Sequence, residues 1–335
     1  MFWLGSLLVT DALTAVLRQE LDRSRNSWPR GVGVIAAAQV GDRVSHAVVG
    51  TVNDAGDHPT PDTVFRIASI SKVFTALALA VAVKRGEVGL DEPAEIYLPG
   101  AFRLPRYDGR PIFVVDLATH TSGLPRDHTG TDSLDGLAAT LARTTLASPP
   151  GQFHRYSNMG VALLGLLLSH AANTSYETLI ADRICRPLQL GDTTLAPTQS
   201  QTRRLAQGHD PDGQPAVVPT IHVGAPSGGL YSTATDLLRF LRLHLGQVPH
   251  AELAPAAAVA LAPRFSTPDA HTLGLCWHHT QLPNHATSIW HNGGLPGFHS
   301  YAALVPGADT ALVVLANQDT DLESTATTIL TRLTD

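Results

Sequence analysis

The sequence predicts an α/β (α+β) fold: an antiparallel sheet assembled from both ends of the chain, flanked by helices, with an inserted and mainly helical region. Three observations carry that prediction. Strand-like runs at 33–40 and 44–52 flank Gly41-Asp42, a hairpin signal. Strand-like runs return only late, at 287–291, 300–305 and 310–316, with Pro306-Gly307-Ala308-Asp309 as the turn between the last two. Between about residues 90 and 215 the pattern is helical and strand alternation is nearly absent. The expected organisation is therefore a discontinuous α/β domain, 1–89 and 216–335, with a helical insertion, 90–215, and an active site between them.

The elements follow in order. Asp11 is placed to cap a helix whose apolar positions Leu13, Val16, Leu17 and Leu21 recur at helical spacing. After the hairpin comes a polar loop at 57–62, then a strongly apolar helix from Ser69 to Val83 that stops at Lys84-Arg85-Gly86. Helices are expected at 134–147 and 160–172. Ser232-Thr233-Ala234-Thr235 introduces an amphipathic helix over 236–245, and a last helix covers 322–333.

Composition narrows the function. A chain of 335 residues, 44% hydrophobic and 16% charged, has ample material for a globular core. A net charge of -6 gives no electrostatic reason for a nucleic-acid or anionic-membrane partner. The apolar start, Met1 to Thr10, has no basic residue and no small-residue cleavage site, so a cytoplasmic location is expected; a secreted or periplasmic precursor lacking its leader is the alternative. No run is long enough to predict a membrane span. Cys185 and Cys276 are expected as buried free thiols. The 16 histidines are scattered and predict no metal site.

Only two of the 23 basic residues are lysines, and Lys72 follows Ser69 by three positions in Ser69-Ile70-Ser71-Lys72. Residues at i and i+3 share a helix face. A serine at a helix start meets free N–H groups, and a desolvated lysine, unlike arginine, can accept its proton. Ser71 projects elsewhere. A second segment, Tyr156-Ser157-Asn158, precedes an apolar helix and projects its first and third side chains to one side. A third, His291-Asn292-Gly293-Gly294, ends a strand with glycines that let a ligand approach the backbone.

In this order the three segments resemble the serine β-lactamase and penicillin-binding protein superfamily, with its SxxK, Tyr-x-Asn and Lys/His-x-Gly elements. The likeness is nearest to the class C group with its D-alanyl-D-alanine carboxypeptidase, D-aminopeptidase and esterase relatives. It extends to Leu117-Ala118-Thr119-His120-Thr121-Ser122-Gly123-Leu124-Pro125, to Gly228-Gly229-Leu230-Tyr231-Ser232, and to Gly274-Leu275-Cys276-Trp277. The resemblance implies a β-lactamase/transpeptidase-like fold. It implies Ser69 as nucleophile, Lys72 as the amine that deprotonates it, and Tyr156 as partner base and later acid. Asn158 would position Lys72 and the substrate amide, and His291, Asn292 and Gly293 would line the substrate site. The N–H groups of Ser69 and Gly294 would form the oxyanion hole. No cofactor or metal is implied.

Two departures bear on the substrate. His291 and Asn292 stand where classical β-lactamases carry lysine and threonine, so a fixed ammonium for a substrate carboxylate is missing. Asp127 stands where class C lactamases tend to carry glutamine, and an acid there repels a carboxylate unless Arg126 offsets it. The expectation is a serine hydrolase acting on a small-molecule or peptide amide or ester. DD-carboxypeptidase-like and esterase or acyltransferase readings rank level, ahead of true β-lactamase activity. The alternative of a different class is a non-catalytic peptide sensor on the same fold.

Overall fold

The computed structural model describes residues 3–29, 31–127, 132–217, 221–269 and 271–335. Its centre is an antiparallel eight-stranded sheet in the order β2-β1-β10-β9-β8-β7-β6-β5. The strands are β1 (Val34–Val40), β2 (Arg43–Val49), β5 (Phe265–Ser266), β6 (Thr272–Leu273), β7 (His278–Gln281), β8 (Thr287–Leu295), β9 (Phe298–Val305) and β10 (Thr310–Ala316). A separate short pair joins β3 (Phe65–Arg66) to β4 (Tyr231–Ser232). Gly41 adopts a left-handed φ of 57°, which only glycine takes without strain, and so closes the β1–β2 hairpin. β1 then pairs with β10 over Val34↔Ala316 to Val40↔Thr310, joining the two ends of the chain.

Both faces of the sheet are covered, and alternation along the strands feeds two cores. Val34, Ala36, Leu312 and Val314 pack with Leu17, Leu21 and Ile329 of the terminal helices α1 (Trp3–Ser24) and α12 (Glu323–Thr334). Ile35, Ala37, Val313 and Leu315 join the larger core with α2 (Ser71–Lys84), α10 (Ala234–His244) and α11 (Leu253–Leu261). α2 is buried all round from Ser71 to Ala82, as its lack of a polar face requires, and Phe74 stacks on Phe240 at 4.0 Å. Helices α3 (Val114–Ala118), α4 (Leu134–Leu141), α5 (Asn158–Ala171), α6 (Tyr176–Ile180), α7 (Arg186–Leu188) and α8 (Gln199–Thr202) fill the central segment, and the short α9 (Ala225–Gly228) follows it. Among the described residues no helix is long and apolar enough to cross a membrane. Both cysteines are free and buried.

The sequence expectations need five corrections. α2 begins at Ser71, so Ser69 lies in the turn before the helix and does not open it. α1 begins at Trp3, so Asp11 lies within the helix and does not cap it; Met1 and Phe2 of that apolar run lie outside the described residues. α4 ends at Leu141, short of 147. β5, β6 and β7 extend the sheet beyond what the sequence predicts, because strands of two to four residues are too short for alternation to be read. α5 starts at Asn158, where the Ser157 hydroxyl accepts the Gly160 N–H at 2.9 Å.

Candidate active site

Ser69 sits in the tight turn Ala68–Ile70 that leads into α2. Ala68 is held at φ 47°, a strained value for a residue with a side chain. The turn is pinned on two sides. The Ser71 hydroxyl donates to the Ala68 carbonyl at 2.8 Å and accepts the Leu230 N–H at 3.0 Å. On the other side Ser300 donates to the Ile67 carbonyl at 2.8 Å.

Lys72 is fully buried one turn along. Its Nζ lies 2.9 Å from Ser69 Oγ and donates to the Ser227 carbonyl at 2.5 Å. Burial penalises the ammonium and pushes its pKa down to about 7, with Cys276 and Asp127 opposing and Arg126 assisting that shift. Tyr156 donates its hydroxyl to Ser69 Oγ at 2.9 Å. Its ring lies 4.9 Å from Lys72 Nζ and 5.1 Å from the Arg126 guanidinium carbon. Burial raises its pKa well above the ordinary tyrosine value, so the phenol keeps its proton at neutral pH. One serine oxygen thus meets an amine and a phenol at the same distance, from α2 and from the loop before α5.

β8 closes the site. A Cβ on Gly293 would stand 2.7 Å from both Ser69 N and the Ile67 carbonyl oxygen, so only glycine lets the strand approach the nucleophile turn this closely. Gly294 is roomier, its nearest atom to such a Cβ being Asp319 Oδ1 at 3.9 Å. Ser69, Asp127, Asn158, Ser227 and Gly294 line a cleft of about 260 Å³.

Three site residues sit differently from expectation. The Asn158 amide donates to Asp127 Oδ1 at 2.6 Å rather than holding Lys72, whose Nζ is taken by Ser69 and Ser227. Alternation along β8 sends Asn292 to the opposite face from Gly293, where it donates to Glu323 of α12. His291 is buried and donates Nδ1–H to the Asn292 carbonyl at 2.5 Å. Burial, reinforced by Lys72, pushes its pKa down to about 3, so it brings no cation to the cleft.

Five of the histidines scattered in sequence converge in space. His120, His154, His278 and His291 surround Tyr156 in a chain of ring contacts 4.5–6.2 Å between centroids, and His271 stacks on His278. His120 is missing from the sequence-derived site, although its loop is among the quoted segments; a residue that holds backbone leaves no spacing signal.

Comparisons with known proteins identify the family and the fold. The Beta-lactamase family matches residues 26–333. The D-alanyl-D-alanine-carboxypeptidase/endopeptidase AmpH of Escherichia coli (strain K12) is 31% identical over 281 residues, covering 78% of this chain and 72% of that protein. A class C beta lactamase from Rhodobacter sphaeroides superposes with a TM-score of 0.85 at 25% identity, covering 94% of this chain and 97% of the other. A beta-lactamase/D-alanine carboxypeptidase from Pseudomonas syringae reaches a TM-score of 0.88 over 96% and 98%; at 22% identity it speaks for the fold. The chain belongs to the Beta-lactamase family, in the class C-like group of the serine β-lactamase and penicillin-binding protein superfamily, whose active members are serine hydrolases.

Proposed function

We propose that the chain is a serine hydrolase that forms an acyl-enzyme at Ser69 from an amide or ester. The observation that carries this reading is the single Ser69 oxygen held by Lys72 Nζ and Tyr156 OH, each at 2.9 Å. With its pKa near 7, a large fraction of Lys72 is neutral at neutral pH and accepts the serine proton as Oγ bonds to the substrate carbonyl carbon. The backbone N–H groups of Ser69 and Gly294 receive the oxyanion. Tyr156, protonated in the resting site, acts as a relay and not as a phenolate base: as it takes a proton from the Lys72 ammonium it gives its own to the departing amine or alkoxide. Water then attacks the ester, and the acid leaves as Ser69 regains its proton.

The substrate edge is formed by Asn158 and Asp127, whose mutual hydrogen bond fixes the amide at the cleft wall. A neutral His291 and an exposed Asp127 offer a substrate carboxylate little, which favours ester or acyl-transfer chemistry over efficient β-lactam hydrolysis. The name of AmpH supports the peptidase branch without deciding it. Asn292, bonded to Glu323, is not proposed as a substrate contact.

The test is active-site labelling. A fluorophosphonate or a labelled penicillin is expected to acylate the native chain and to leave Ser69→Ala unlabelled. A native chain that takes up neither probe and hydrolyses no activated ester is a non-catalytic member of the family, and the reading fails.

A further inference from the structure

His120 touches the candidate machinery at three places and is itself completely buried. Its carbonyl accepts the Arg155 N–H at 2.7 Å, and its Nδ1 accepts the Ser157 N–H at 3.1 Å. In extended chain the N–H groups of residues i and i+2 point the same way, so one residue grips the backbone on both sides of Tyr156. The third contact is ring on ring, 4.5 Å between the His120 and Tyr156 centroids at a tilt of 30°. A left-handed φ of 57° at His120 turns its carbonyl and its imidazole toward the same segment.

The hydrogen bonds settle the imidazole's state. Because Nδ1 accepts, the neutral ring carries its proton on Nε2, and that atom is buried without a partner among the described residues. A buried donor left unpaired is costly and calls for an explanation. Cation formation does not supply one, since burial, and after it Lys72, His291 and His154, hold the ring neutral. Among the described residues His120 forms no hydrogen bond to Ser69 or Lys72, so its direct grip on the machinery is on the segment that carries Tyr156.

We infer that His120 is a positioning residue: its Nδ1 and carbonyl clamp the 155–157 backbone, and its ring braces the phenol, so that the Tyr156 hydroxyl meets Ser69 Oγ. This rests on the acyl-enzyme reading above. The clamp predicts a hierarchy. His120→Asn keeps an acceptor for the Ser157 N–H; His120→Phe keeps a ring and loses the acceptor; His120→Ala loses both.

The experiment measures acylation rates with an activated p-nitrophenyl ester, with folding checked by circular dichroism. His120→Phe and His120→Ala are expected to lower kcat by about 10²-fold with little change in KM, the scale of a misplaced catalytic group. His120→Asn should recover roughly tenfold of that loss, as expected for restoring one positioning contact. The decisive arm is a double-mutant cycle with Tyr156→Phe. If His120 acts through the phenol, adding His120→Phe or His120→Asn to Tyr156→Phe changes the rate by less than about twofold. Equal losses in both backgrounds, a folded His120→Phe with native kcat, or His120→Asn no better than His120→Ala would each overturn the inference. Should His120→Phe not fold, the same cycle with His120→Asn decides. Failure of the native chain to acylate removes the parent reading together with this one; native acylation with an additive cycle removes this one alone.

Discussion

At the scale of the residue, the chemistry turns on the proton of Lys72. Arginine supplies nearly all other positive charge in this chain, and arginine cannot act here, because its proton does not leave. Burial lowers the Lys72 pKa from 10.5 to about 7, so the reactive neutral amine accumulates as pH rises through that value. Acylation of Ser69 is expected to climb with pH across a limb near 7 and to level off above it. Lys72→Arg should lose that limb and fall by about 10²–10⁴-fold, the contribution typical of a positioned general base. Stopped-flow labelling across the pH range measures both; a variant that acylates at the native rate would refute the role. Lys72 was legible in sequence because the scarcity of lysine and the Ser-x-x-Lys spacing coincide. His120 was not, because its contribution is to hold main-chain N–H groups, which any sequence contains.

At the scale of the element, what was readable depended on length and periodicity. The β1–β2 hairpin, the apolar α2 and the strands β9 and β10 carry their own signals: a glycine turn, an unbroken apolar run, a Pro-Gly-Ala-Asp turn. The strands β5 to β7 exist only as additions to the edge of β8, so tertiary pairing decides them and local pattern does not. The same pairing decides which face of β8 is chemical. Alternation turns Gly293 to the nucleophile and Asn292 to α12, a distinction hidden in a run of four consecutive motif residues. The consequence is measurable. Gly293→Ala forces a methyl against Ser300 Oγ at 2.6 Å and against Ser69 N at 2.7 Å, pushing β8 away from the turn. Acylation should drop by about 10²–10³-fold, the cost of a lost oxyanion donor. Gly294→Ala, with no neighbour nearer than 3.9 Å, should fold and keep most of its rate. Equal tolerance at both positions, read by labelling rate and thermal midpoint, would contradict the geometry.

At the scale of the whole molecule, the sheet and α2 enclose imidazoles that fold in the neutral form, and this sets how stability responds to acid. Burial pushes His244 down to about 4 and His291 to about 3, and moves His120 and His278 well below their ordinary value. The unfolded chain takes up protons at these sites near pH 6.5 while the native chain does not. Their contribution is therefore complete above about pH 6.5 and is lost as pH falls toward the native values. Lys72 adds the same sign between about 7 and 10.5, where the native amine is neutral and the unfolded one still charged. Asp116 and Asp236 oppose the trend, since burial raises their pKa values and acid relieves that penalty. Burial lowers His154, His271 and His279 as well, and Arg204 and Arg85 hold Asp192 and Glu252 down, so the balance is a net loss of stability on acidification. His244 isolates one proton of it: the residue lies outside the candidate site, donates Nδ1–H to the Phe240 carbonyl at 2.9 Å and packs on Trp277. In urea titrations the native unfolding free energy should fall as pH drops from about 6.5 to 4.5, and His244→Leu should make that fall shallower by up to about 1.4 kcal/mol per pH unit, the slope due to one proton. A variant with the native slope would show that His244 is already charged in the fold, and that the buried imidazoles are not what makes the molecule acid-sensitive.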